Sequence, residues 1–206
     1  MNPSRWAVIA LLTLILSCGR DLNNPFDPEA SSPREAYFAY GLDRFDEGDL
    51  GGAREGFTRA VRVDPGFALA HVGLGWSSLL SGDPILAIVE FRLALQNDEK
   101  LPDALLGLAA AYLAAGDYER AASNAERFIS EYPQEPKTMF SANPLERCYL
   151  ILAESSFYLG QYSDAASALN NLGSELRFDP SDGDFPEKFL SEILRLQEEI
   201  EGERDG

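Results

Sequence analysis

Three Gly-Asp pairs, Gly48-Asp49, Gly82-Asp83 and Gly116-Asp117, stand 34 residues apart, and an alanine follows each Asp by four positions, at Ala53, Ala87 and Ala121. A fixed period of this length marks a stacked array of helix-turn-helix units, and it constrains the fold before any propensity is weighed. In such a unit the Gly ends one helix where the chain must turn, and the small Ala lets the paired helix approach closely. Apolar residues recur at helical rather than alternating spacing, and β-branched runs are scarce. With 206 residues, 45% of them apolar, the chain suits one domain with a continuous core.

Overlaying the period exposes further positions. The first unit carries Tyr37, Tyr40, Gly41, Ala53, Phe57, Ala60 and Pro65; the second carries His71, Leu74, Gly75, Ser78, Ala87, Phe91 and Ala94. The third carries Leu105, Leu108, Ala109, Tyr112, Ala121, Ala125, Phe128 and Pro133. These sets resemble the tetratricopeptide pattern W-x2-L-G-x2-Y…A-x3-F-x2-A…P. A fourth copy, Leu159-Gly160-Gln161-Tyr162 with Ala165, follows 44 residues after the third rather than 34. The extra length falls near Gln134–Asn143 and reads as a surface insertion between repeats. The resemblance implies an all-α tetratricopeptide solenoid of about four repeats, at 34–67, 68–101, 102–135 and 146–177, with insertion 134–143. Residues 178–206 then supply an acidic loop and a helix whose Phe185, Phe189, Ile193, Leu196 and Ile200 share one face. A solenoid ends in a bare apolar face unless something covers it, so this helix is expected to be a cap.

The N-terminus carries a second signal. Arg5 precedes an apolar run from Trp6 to Leu16, too short to span a bilayer as a mature helix but suited to a secretory signal. It ends in Ile15-Leu16-Ser17-Cys18, which resembles a bacterial lipobox. That resemblance implies a signal peptide over 1–17, a lipidated Cys18, and a tether over 18–33 that reaches ~40 Å when nearly stretched. Acyl chains anchor firmly, each buried methylene contributing ~0.8 kcal/mol. Gly19, rather than Asp, follows the Cys; by resemblance this favours the outer membrane, with the domain facing the periplasm. Helix formation is expected from Ser32-Pro33-Arg34-Glu35, with Ser as the cap.

The sequence offers no catalytic, cofactor or metal constellation. Its one histidine, His71, occupies a repeat position that usually holds a large buried ring, so it reads as a satisfied core residue. Cys148 sits in a helical pattern and reads as a buried, inert thiol; with Cys18 lipidated, no disulfide partner remains. Asp179, Asp182, Gly183 and Asp184 miss the spacing of a calcium loop. Acidic residues outnumber basic ones 34 to 17, for a net charge of −17, which disfavours phosphate-backbone binding.

What the resemblance leaves is a groove. In tetratricopeptide arrays the first helix of each repeat lines the concave face through positions 2, 5, 9, 12 and 13. Carried over, these give Phe38, Leu42 and Phe45 from repeat one, and Val72, Trp76 and Leu79 from repeat two. Repeat three gives Leu106, Ala110 and Leu113, and repeat four gives Leu150, Glu154 and Phe157. An apolar set of this kind suits an amphipathic or extended apolar peptide and lacks the basic cluster of a carboxylate clamp. The competing expectation is that tight curvature packs these side chains on each other or on the chain's own tail. The reading is therefore a non-catalytic scaffold that binds another cell-envelope protein or peptide, with no nucleic acid and no small-molecule substrate. Two alternatives stand beside it: an accessory lipoprotein of an outer-membrane assembly or secretion machine, and a glycan- or peptidoglycan-associated binder.

Overall fold

The computed structural model describes residues 32–134, 136–141, 143–172 and 179–202, with the backbone alone for 200–202. The expected signal peptide, Cys18 and nearly all of the tether lie outside the described residues, as does the side chain of Ile200. The described residues form nine α-helices and no strand. Four antiparallel pairs come first: α1 (Pro33–Asp46) with α2 (Leu50–Val63), α3 (Ala68–Leu80) with α4 (Pro84–Asn97), α5 (Pro102–Ala114) with α6 (Tyr118–Glu131), and α7 (Pro144–Tyr158) with α8 (Tyr162–Asn171). A ninth helix, α9 (Phe185–Gly202), follows.

The Gly-Asp pair does two jobs at each hairpin. Gly48, Gly82, Gly116 and Gly160 all take positive φ, between 75° and 82°, where a Cβ would be strained. Each closes the preceding helix with the double hydrogen bond of a Schellman turn: Gly48 N–H donates to Phe45 O and Asp49 N–H to Arg44 O, and the other three repeat the pattern. The Asp then starts the next helix. The carboxylates of Asp49, Asp83 and Asp117 accept from Gly52, Leu86 and Arg120 N–H at 2.9, 3.0 and 3.2 Å. Gln161 takes this place in the fourth hairpin and makes no side-chain cap. Ser32 likewise makes none, contrary to expectation; Pro33 at the first helical position, whose missing N–H needs no acceptor, sets the start of α1.

Interhelical packing rests on rings set into bare backbone. Phe57, Phe91 and Phe128 are completely buried. Phe57 lies against Gly41 of its own repeat and Gly73 of the next, and Phe91 against Gly75 and Gly107. A methyl group at Gly107 would fall 2.2 Å from Phe91 Cζ, so the ring demands glycine there. In repeat three the ring and the small residue trade places: Ala125 stands where Phe57 and Phe91 stand, and Phe128 where Ala60 and Ala94 stand. In register with Gly73 and Gly107, α7 carries Ile151, which supplies from its own side the volume that the ring fills elsewhere.

Curvature follows from which helices touch. The first helices α1, α3, α5 and α7 pack each on the next, whereas the second helices pack on the first helices before and after them. The first helices thus form an inner layer and the second helices an outer one. Helix α9 lies on α7 and takes the place of a fifth first helix: Phe185, Phe189, Ile193 and Leu196 are buried in one cluster with Leu150, Ala153, Ala165 and Leu169. The apolar end of the array is covered, as the helical spacing of those residues predicts.

Within the expected surface insertion, Phe140 turns inward. Phe140 is only 7% exposed and meets Phe45 edge-on at 5.2 Å and Phe57 at 6.1 Å. Asp103, in the first turn of α5, is 4% exposed; its carboxylate accepts from the N–H groups of Met139 and Phe140 at 3.0 to 3.1 Å. Met139 and Phe140 are thus clipped to repeat three by a buried carboxylate, and Phe140 plugs into the rings of repeat one.

Candidate functional site on the inner layer

Trp76 of α3, Leu106, Ala110 and Leu113 of α5, Arg147, Leu150, Ile151 and Glu154 of α7, and Gln197 of α9 enclose a cavity of about 160 Å³, partly open to solvent. Every inner-layer helix except α1 contributes, and α9 closes the far side. The volume matches one large apolar side chain, since an apolar cavity of about 150 Å³ accommodates benzene.

Of the groove positions carried over from the family pattern, the structure brings Trp76, Leu106, Leu113 and Leu150 together in this cavity, with Ala110 and Glu154. The others go elsewhere. Phe38 packs on Phe57 at 5.6 Å and edge-on to Phe67 at 5.1 Å, Phe45 is taken up by Phe140, and Val72 is fully buried. Leu42 and Leu79 pack half-buried against the same core. Phe157 stacks on Phe189 of α9 at 4.8 Å. The inner layer is thus filled from within at both ends, by Phe140 over repeat one and by α9 over repeat four. Trp76 itself is 8% exposed and meets Phe91 edge-on at 5.5 Å, so it is part core and part cavity wall.

Polar groups at the cavity are few and specific. Trp76 Nε1–H is buried without an acceptor. Burial pushes the Glu154 carboxyl above its ordinary value, against a smaller downward pull from Gln197, whose Nε2 donates to it at 3.3 Å. Ser77 and Ser78, adjacent to Trp76 in sequence, spend their hydroxyls on Gly73 O and Leu74 O within their own helix. His71 is buried with Nδ1 2.7 Å from Glu90 and Nε2 3.1 Å from Pro65 O, a satisfied core position. Cys148 is fully buried, as its place in the helical pattern predicts. In the acidic loop Asp179 accepts from Ser181, and Asp184 pairs with Lys188 at 2.8 Å.

The groove arithmetic did not single out Asp103, Phe140, Arg147 or Gln197. Asp103 was within reach of it, as position 2 of repeat three, and Phe140 is the one aromatic residue of the insertion. No local pattern marks Gln197, whose role depends on where α9 docks.

Tetratricopeptide-repeat models match residues 38–102 and 103–135. No curated protein sequence matches this chain at a significant level. Among solved structures, MamA superposes with a TM-score of 0.61 at 20% identity, over 73% of this chain and 82% of MamA. The Pseudomonas aeruginosa pilF structure gives 0.59 at 22% identity, covering 81% of this chain and 69% of that one. The first tetratricopeptide domain of Spaghetti (RPAP3), bound to the HSP90 peptide SRMEEVD, gives 0.55 at 17% identity, over 62% of this chain and 93% of that one. The ring-in-backbone packing, the two-layer hairpin stack and these matches together make the fold a tetratricopeptide-repeat solenoid, with repeats of that family over residues 38–135.

Proposed function

We propose that this chain is a non-catalytic scaffold, tethered to the bacterial outer membrane through a lipidated Cys18, that holds another cell-envelope protein on its inner layer. The observation that carries the reading is the cavity between the two self-filled ends: Trp76, Leu106, Leu113 and Leu150 remain gathered around an opening when the rest of the inner layer is packed on itself. A peptide is a fitting occupant, because the same fold in RPAP3 holds one. The acidic residues of that HSP90 peptide would meet a chain of net charge −17, so a different peptide chemistry is expected here. A glycan is disfavoured, since the hydroxyls of Ser77 and Ser78 are already spent on the helix. Membrane tethering confines encounters to one surface and raises local concentration, which makes a shallow site sufficient.

The test is photocrosslinking in native membranes with a photoreactive residue at Leu113, which is half-buried on the cavity wall and outside the tight core. One dominant envelope protein crosslinked at 113 and lost in a Leu150→Glu variant supports the reading. No adduct above that of a photoreactive residue at the exposed Arg62 overturns it. Changing Cys18 to Ala should release the protein from membranes; undiminished membrane association would sink the tether.

A further inference from the structure

The chemistry of the cavity identifies what enters it; this inference rests on the inner layer being the partner site. Two polar groups there have incomplete bonding. The indole N–H of Trp76 is buried without an acceptor, an unfavourable arrangement that a carbonyl brought against it would relieve. Glu154 receives a single long hydrogen bond from Gln197, which leaves most of the acceptor capacity of its carboxylate unused among the described residues. Arg147, the one cation on the wall, is already engaged by other groups of the chain. The rest of the lining is aliphatic.

These features select a ligand with three parts: an apolar side chain of cavity size, a carbonyl beside it, and a cation within reach of a half-buried carboxylate. A polypeptide presents all three within two residues. The net charge of −17 favours approach of the same cation from a distance. We propose that the cavity binds a segment in which a Phe- or Leu-sized side chain is flanked by Lys or Arg, the apolar group entering between Leu106 and Leu150 and the cation pairing with Glu154. Glu154 sets the charge preference, and Trp76 reads the backbone.

Tryptophan fluorescence tests this directly, because the chain has two tryptophans and one of them is Trp6. In a full-length Trp6→Phe protein, emission comes from the cavity wall alone. Three acetylated, amidated peptides are titrated: Lys-Phe-Lys, Glu-Phe-Glu and Lys-Gly-Lys. The expected result is a shift of Trp76 emission with Lys-Phe-Lys, at least about tenfold tighter than with either of the others. In Glu154→Gln, which keeps the hydrogen bond from Gln197 and whose fold is checked by far-UV circular dichroism, the preference for Lys-Phe-Lys over Glu-Phe-Glu should vanish while apolar binding remains. Equal binding of the two Phe peptides by the unmodified cavity, a preference for Glu-Phe-Glu, or no binding by any of the three overturns the proposal. Those outcomes are separable from failure of the scaffold reading: a partner crosslinked at residue 113 that shows no basic-apolar preference refutes the ligand chemistry alone, whereas absence of any crosslink refutes the site.

Discussion

His71 illustrates how one buried polar residue fixes a pH dependence. Its Nδ1 faces Glu90 at 2.7 Å and its Nε2 faces Pro65 O at 3.1 Å. The Glu90 hydrogen bond raises the imidazole pKa above its usual value, outweighing the opposing effect of burial. A group whose folded pKa is raised contributes its full stabilisation below the unfolded pKa, about 6.5, and loses it as pH rises through the folded value. Urea unfolding of the wild type should therefore become easier as pH rises above about 6.5, relative to a Glu90→Gln variant, in which the charged partner is gone. Parallel pH profiles for the two proteins would mean that His71 is neutral in the folded state throughout. This residue was readable in the sequence as a core histidine because its repeat position calls for a buried ring. Its partner was not, because Glu90 reaches it from the neighbouring helix rather than from its own.

At the scale of elements, legibility followed sequence distance. The Gly-Asp hairpin is a local device: a Schellman turn and an N-cap act within six residues, so composition at a fixed period was enough to find it. The fourth hairpin shows what is missing when half the device is absent. Gly160 keeps the turn, and Gln161 leaves the first turn of α8 without a side-chain cap. Gln161→Asp should therefore raise stability by about 1 kcal/mol, seen as a shift in the denaturation midpoint without a change in slope. No gain would show that the α8 start is held by tertiary contacts instead. The insertion is the opposite case. Its clip joins Phe140 to Asp103 across 37 residues and to Phe45 across a longer gap, and no periodicity reports such a contact. Burial of Phe140 predicts a cost of about 3 kcal/mol for Phe140→Ala, and Asp103→Ala strands two N–H groups at about 1–3 kcal/mol. Because both changes break one clip, the double variant should cost clearly less than the sum. Additive losses would mean that the carboxylate and the ring act independently.

Across the whole molecule, the inner layer is divided between surface the chain fills itself and a cavity it leaves open. One end is filled by the chain's own loop, the other by its own helix, and the opening left between them depends on α9 for one wall. The family pattern located the layer but not the division, because curvature and self-docking are properties of the assembled stack. The same stack makes stability directional: each repeat rests on its neighbours, so loss at one end should propagate with decreasing strength. Phe189 is completely buried between α9 and the last hairpin, stacked on Phe157 at 4.8 Å. Phe189→Ala removes that contact at a local cost of about 3–5 kcal/mol. Hydrogen exchange followed helix by helix should then show the greatest loss of protection in α7 and α8, less in α5 and α6, and least in α1 and α2. The Phe140 clip sharpens the gradient, since it ties the segment just before α7 to the first repeat and should hold back fraying at that point. A uniform loss of protection along the chain would instead mark a single cooperative unit, in which the cap stabilises repeat one as strongly as repeat four.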